Sequence, residues 1–249
     1  MNRRDGRAAD EVRPLEARLG VNVHAEGSCR FSLGYTVVHC TASLDPDLPR
    51  WRRESGRGWV TAEYRMLPRA TGIRTPREGR FDLKGRTAEI QRLVGRALRA
   101  VTDPTLLGPR QIIVDCDVLQ ADGGTRIASV NGGFLALVQA LASLVDAGVL
   151  PRLPIQAGVA AVSVGLVDGV PLVDLAYDED ARAQVDLNVV ATSDGRLVEV
   201  QGTAEGAPFP RADLDALLDL SLPTIGRVLA AQRRTLLDAG ITPPFPEPG

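Results

Sequence analysis

Two histidines and three cysteines in 249 residues leave little material for several kinds of chemistry. A site built on several imidazoles is excluded by counting, because only His24 and His39 exist. Cys29, Cys40 and Cys116 are odd in number and far apart, which gives neither a disulfide framework nor a C-x-x-C metal knuckle. They read as small buried hydrophobes. The longest nearly unbroken apolar run, 157–167, is too short to span a bilayer. The basic start, MNRRDGRAADEVRPL, has no apolar run behind it and does not read as a secretory signal. These shortages lead to the expectation of a cytoplasmic protein with no membrane partner.

A strong excess of one charge is also lacking: the net charge is −2, with 44% hydrophobic and 24% charged residues, as in an ordinary globular protein. The distribution is uneven, however. Between Arg50 and Arg110 fifteen Arg/Lys face six Asp/Glu, so the remainder carries about −11 by subtraction. A basic face of this kind suits a polyanion, although arginines paired with distant acids would give the same count.

Along the chain, 21–41 and 58–67 carry β-branched and aromatic residues and read as strands. The stretch PRATGIRTPREGRFDL at 68–83 has no period and reads as a long functional loop. Ile90, Leu93, Val94, Ala97, Leu98 and Val101 recur at helical spacing. Residues 111–119 read as a strand with Ile113, Asp115 and Asp117 on one face, and a second helix with its stripe at 130–145 stops at Gly148. Four more strands are expected at 159–166, 172–177, 185–191 and 197–202, with Asp168-Gly169 and Asp194-Gly195 as turns. A last helix at 212–237 should kink or split at Pro223. No linker interrupts this order, which predicts one mixed α/β domain over 1–240 and a loose Pro-rich tail at 241–249.

Three segments carry chemistry. In DCDVLQADGGTRIAS (115–129) a strand runs into Gly123-Gly124-Thr125-Arg126 and a helix follows, placing N–H groups, a hydroxyl and a guanidinium at a helix N-terminus. That arrangement can cradle a phosphate, or it can be a simple capped turn; the spacing and lysine of a Walker A loop are absent. Arg86 stands at the start of the other well-defined helix, and two such arginines can grip one tetrahedral anion. Asp174, Asp178, Glu179, Asp180 and Asp186 fall within thirteen positions, a set of hard oxygens suited to Mg²⁺ or Mn²⁺. His24 and His39 read as structural residues in strands. Trp51 and Trp59 flank a basic stretch and can stack on bases, with packing the better reading for Trp59.

In this order the segments RDGRAADEVRP (4–14), HAEGS (24–28), GWVTAEYRMLPRAT (58–71), GRTAEIQRLVGRALRAV (85–101), IVDCDVLQADGGTRIAS (113–129) and VEVQGTAEGAPF (198–209), with the Asp-rich stretch between the last two, resemble ribonuclease PH. The resemblance implies a single ribosomal-protein-S5-domain-2-like domain with mixed sheets and packed helices, assembled as a homohexamer, a trimer of dimers. It implies a phosphate-dependent nucleotidyltransferase that shortens the 3′ end of precursor tRNA, with inorganic phosphate as co-substrate and nucleoside 5′-diphosphates released. Carried over residue by residue, phosphate binding falls to Arg86, Gly124, Thr125 and Arg126. Catalysis falls to Asp180, Asp186 and Arg126, and a divalent cation, expected to be Mg²⁺, to Asp180 and Asp186 with Asp178 as a third candidate. One of the two catalytic carboxyls is also placed to protonate the leaving 3′-oxygen. Arg69, Arg74, Arg77 and Arg80 in the loop would hold the RNA backbone without reading sequence.

Two rival readings differ in class. A non-catalytic RNA-binding subunit of an exosome-like ring would keep the fold and the basic surface, against which stands the presence of Arg86, Arg126, Asp180 and Asp186. A phosphotransferase acting on a small nucleotide would rest on the glycine-rich junction alone.

Overall fold

Alternating burial along the strands sorts the chain into two sheets. In the computed structural model, which describes residues 3–45, 47–79 and 85–247, the first sheet runs β1 (Leu15–Leu19), β2 (Gly27–Leu33), β3 (Thr36–Asp45), β5 (Gln111–Gln120), β4 (Trp59–Met66). Its first four strands are antiparallel neighbours, whereas β4 lies parallel to β5. Parallel neighbours need a crossover, and helix α1 (Gly85–Ala100) lies on that connection, packed on β4. Along β5 the two-residue period sends Ile112, Val114, Cys116 and Val118 inward and leaves Ile113, Asp115 and Asp117 on the other face. A short helix α2 (Pro104–Leu107), capped by the Asp103 carboxylate, precedes β5.

The second sheet, β7 (Val170–Val173), β6 (Val159–Val167), β8 (Val185–Thr192) and β9 (Leu197–Ala204) in that order, is antiparallel throughout. Asp168 and Gly169 close its first hairpin with φ of 50° and 76°, as a type I′ turn requires. Helix α3 (Thr125–Asp146) packs on β2 and β3 of one sheet and β6 of the other. By length and composition α3 could cross a membrane, yet its apolar surface is consumed between the sheets. Each fully buried Leu or Ile there contributes roughly 1.5–3 kcal/mol. Gly132 lets α3 approach closely: a β-carbon there would stand 2.8 Å from the Phe31 Cβ and 2.9 Å from the Cys40 sulfur, too tight for a packed interior. Helix α5 (Arg211–Asp238) covers the second sheet. The three cysteines are buried free thiols.

Four expectations change. The strand read at 172–177 stops at Val173; Asp174 turns the chain with φ 50° and a one-turn helix α4 (Tyr177–Asp180) follows. His24 lies in an exposed bend rather than a strand. Helix α5 continues through Pro223, because packing outweighs the one backbone hydrogen bond the imino acid cannot donate. The tail is not loose over its described part: Phe245 is buried with its ring centroid 5.9 Å from that of Phe134, and its carbonyl accepts from Arg233 at 2.7 Å. Proline content lowered the expected packing, and one aromatic side chain in the core restored it.

Candidate active site

The junction between β5 and α3 is a turn of two left-handed glycines, Gly123 (φ 75°) and Gly124 (φ 68°). A β-carbon on Gly123 would lie 2.5 Å from the Leu175 carbonyl oxygen, so this position excludes every side chain on two grounds. The turn is stapled from β3, where the Thr36 hydroxyl donates to the Gly123 carbonyl at 2.6 Å and accepts from the Asp122 N–H at 2.9 Å. No side chain caps α3, which leaves its first N–H groups and the positive end of its dipole toward a cleft.

That cleft, about 50 Å³, is lined by Arg86, Gly124, Thr125, Arg126, Ser163, Asp180, Asp186 and Asn188. It opens into a hollow of about 560 Å³ that Arg86, Arg126, Asp180, Asp186 and Glu205 share. Arg86 comes from the first turn of α1, Asp180 from the end of α4 and Asp186 from β8. The four charged residues singled out in the sequence therefore meet, with Gly124 and Thr125 between them. Neither histidine lines either space.

Three supports were not legible in the sequence. The Thr125 hydroxyl is held by the phenol of buried Tyr64 at 2.9 Å. Arg126 donates to Gln201 Oε1 at 2.6 Å and to Glu89 Oε1 at 3.4 Å, while Gln201 donates to the same carboxylate at 3.0 Å, which fixes the fork of the guanidinium. Ser163 and Asn188 face each other across β6 and β8 on the cleft floor.

The acidic cluster divides. Asp174 and Glu179 belong to a buried set of ion pairs with the N-terminal segment: Arg13 reaches both Asp174 oxygens at 2.9 and 2.6 Å, and Arg3 reaches both Glu179 oxygens at 2.8 and 2.7 Å. Arg7 adds a bond to Asp174 at 3.1 Å. Arg13 also donates to the Asp122 carbonyl, so one guanidinium ties the phosphate turn to the loop that carries Asp180. Asp178 lines a different cavity, with Arg4, Asp5, Tyr35 and Asp122, and is corrected out of the metal set. Among the described residues no group of three His, Cys, Asp or Glu forms a metal cage. The Asp180–Asp186 pair nonetheless suits Mg²⁺, which is commonly held by one or two carboxylates with water and substrate phosphate completing its shell.

Electrostatics single out the same pair. Burial and then the Asp180 charge push the Asp186 carboxyl up to about 6, against the pull of Arg126 and Arg86; burial raises Asp180 as well. An Asp raised in this way binds more protons folded than unfolded, so it costs stability above pH 6 and the cost fades as pH falls toward 4. Asp186→Asn is accordingly expected to raise stability at pH 8 in metal-free buffer by up to about 3 kcal/mol, to gain little at pH 4, and to lose turnover. Thermal melts across that range check the sign; equal melting temperatures at pH 8 would remove the strain from Asp186.

Of the loop arginines, Arg69, Arg74 and Arg77 are exposed and form no ion pair among the described residues, while Arg80 lies outside them. The loop leaves from beside the phosphate turn, where the Ala121 N–H donates to the Ala70 carbonyl at 2.8 Å, and returns toward α1, where Thr87 donates to Glu78 at 2.7 Å.

Comparison with known proteins bears on this geometry. Residues 11–142 and 158–222 match the two family models described as 3′ exoribonuclease family, domain 1 and domain 2. The chain belongs to the ribonuclease PH family of 3′ exoribonucleases. It is 55% identical to Ribonuclease PH of Mycobacterium avium over 99% of this chain and 96% of the relative, and 52% identical to that of Mycobacterium leprae over the same shares. A solved structure described as the Archaeoglobus fulgidus exosome with RNA bound to the active site superposes with a TM-score of 0.78 at 25% identity, covering 91% of each chain. Within the ribonuclease PH framework the site straddles the two matched segments: the phosphate grip comes from the first, Asp180 and Asp186 from the second.

Proposed function

We propose that this chain is a phosphorolytic 3′→5′ exoribonuclease that trims the 3′ end of precursor tRNA, RNA(n+1) + phosphate → RNA(n) + nucleoside 5′-diphosphate. The observation that carries the reading is the convergence of Arg86, Arg126 and the uncapped α3 N-terminus on one small cleft beside a strained carboxylate pair. In the reaction a phosphate oxygen forms a bond to the last internucleotide phosphorus as the bond from that phosphorus to the 3′-oxygen breaks. Such a displacement asks for positioning and charge stabilisation and needs no protein nucleophile. Arg86 and Arg126 hold the attacking phosphate as two forks, the backbone N–H groups of Gly124 and Thr125 orient it, and Tyr64 with Gln201 fix the groups that do so. Asp180 and Asp186 would hold a divalent cation, Mg²⁺ by the oxygen donors present, which supplies charge neutralisation at the reacting phosphoryl group.

The exosome neighbours support a ring, and we assign a homohexamer built as a trimer of dimers. Three buried free thiols fit a reducing compartment, and we place the protein in the cytoplasm.

The deciding experiment incubates a tRNA bearing a short 3′ extension with Mg²⁺, with and without phosphate. Nucleoside diphosphates released only with phosphate support the reading; monophosphates released without it would make the enzyme a hydrolase. Absence of degradation under any condition would favour the non-catalytic ring subunit. A second expectation concerns the loop: neutralising Arg69, Arg74 and Arg77 together should lower the slope of RNA affinity against salt by about 2, at roughly 0.7 per phosphate contact on a single strand, with the KM for phosphate unchanged. An unaltered slope removes the loop from RNA binding.

A further inference from the structure

Asp186 and Asn188 stand two positions apart on β8 and so share a face of the second sheet. Both line the small cleft, but only Asp186 continues into the larger hollow. Asn188 therefore belongs to the inner end, with Gly124 and Thr125, and it is only 5% exposed. The strand register sets Ser163 of β6 on one side of it and Gln201 of β9 on the other. Both neighbours are engaged: the Ser163 hydroxyl oxygen accepts from the Leu175 N–H at 3.2 Å, and Gln201 bonds Arg126 and Glu89. Alone in this row, the Asn188 amide has no hydrogen-bond partner among the described residues.

A carboxamide brings two donor hydrogens and an acceptor oxygen, and native proteins seldom bury one with nothing to bond. Its surroundings say what it waits for. The charged residues lining the cleft, two arginines and two aspartates, balance formally, so an anion that enters gains from further donors that add no charge. Arg86 and the Gly124–Arg126 turn approach from α1 and α3. From the second sheet the neutral lining residues are Ser163 and Asn188, whose hydroxyl and amide hydrogens are uncommitted. The hollow where Asp180 and Asp186 are joined by Thr203 and Glu205 does not include Asn188, which sets the amide at the phosphate end rather than the outer end of the carboxylate pair.

We propose that Asn188 is a further phosphate contact, its Nδ2 donating to an oxygen of the attacking anion that the two arginines and the α3 N-terminus leave unmet, with the Ser163 hydroxyl beside it. In the reaction that anion becomes the terminal phosphate of the released nucleoside diphosphate, since its oxygen bonds to the last internucleotide phosphorus as the bond to the 3′-oxygen breaks. One contact therefore serves both directions, holding inorganic phosphate in trimming and the β-phosphate of a nucleoside diphosphate in the reverse addition. A nucleoside monophosphate has no group that reaches it. The inference rests on the RNA-trimming reading.

The test compares full-length protein with Asn188→Ala and the isosteric Asn188→Asp, using melting temperatures to establish that each is folded. Calorimetry gives the Kd for inorganic phosphate, and steady-state trimming gives its KM. Losing one hydrogen bond to an anion should raise both about tenfold in the alanine variant. Aspartate sets a like charge against the anion and should raise them about a hundredfold. Inhibition by a nucleoside diphosphate should weaken in step, while inhibition by the matching monophosphate holds. Phosphate affinity unchanged in both variants overturns the proposal. So does equal weakening by diphosphate and monophosphate, which would make Asn188 a support of the whole site. A Mg²⁺ affinity that falls in Asn188→Ala while phosphate affinity holds also overturns it, by making the residue a cation ligand. Phosphate-dependent diphosphate release by the unaltered protein separates the two readings. Its absence sinks the trimming function, whereas its presence with an unchanged phosphate KM in the variants sinks the role of Asn188 alone.

Discussion

Arg126→Ala is expected to lower kcat/KM for phosphorolysis by about 10²- to 10³-fold, the range seen when one preorganised charge-stabilising donor is removed from a site shielded from water. The guanidinium is held in the phosphate cleft by Gln201 at 2.6 Å and by Glu89. Truncation also leaves those two groups facing the cleft, so a negative charge replaces a positive one where phosphate must enter. The loss should therefore fall on the phosphate KM as well as on kcat. Arg126→Lys should recover little, since a point charge cannot reproduce a fork shared between two protein partners and an anion. Steady-state kinetics with phosphate varied at saturating RNA decide the matter; a variant with unchanged phosphate KM would mean that Arg126 only braces Glu89.

The second large effect is on stability. Asp174→Ala should destabilise the fold by about 3–5 kcal/mol, because it strands buried Arg13 without its main counter-charge and takes from Arg7 one of its three acidic partners. The backbone adds to this, since φ is 50° at Asp174, a region that alanine enters at a cost and that Asp or Asn tolerates. Asp174→Asn keeps the turn and loses the charge, so it should fall between alanine and the unaltered chain. Denaturant midpoints order the three proteins, and a loss below about 1 kcal/mol for alanine would show the pairs to be energetically neutral.

What the sequence revealed and concealed divides along physical lines. Helices α1 and α3 and strand β5 were legible because their apolar spacing repeats over ten residues or more, and the Gly123-Gly124 junction was legible because left-handed backbone needs glycine. Tyr64, Ser163 and Asn188 were not, since a neutral polar residue inside a strand looks the same whether it faces a cleft or a core. The division of the acids was not legible either: the strand read at 172–177 ends at Val173, and on the one-turn helix that follows, Asp178 and Asp180 are rotated by about 200° from each other, which sends Asp178 to another cavity. The pairing of Arg3 with Glu179 had no local signal, because the partners stand 176 residues apart.

That separation sets the order in which the site can be completed. Arg3 precedes Glu179 by 176 residues, so during synthesis the segment that braces Asp174 and Glu179 waits for them on the order of ten seconds or more at about 5–20 residues per second. The phosphate turn at Gly123-Gly124 is made before the segment that carries Asp180, so the grip on phosphate is complete before the carboxylate pair exists. A nascent chain can thus fold its first sheet while its cleft still lacks Asp180 and Asp186.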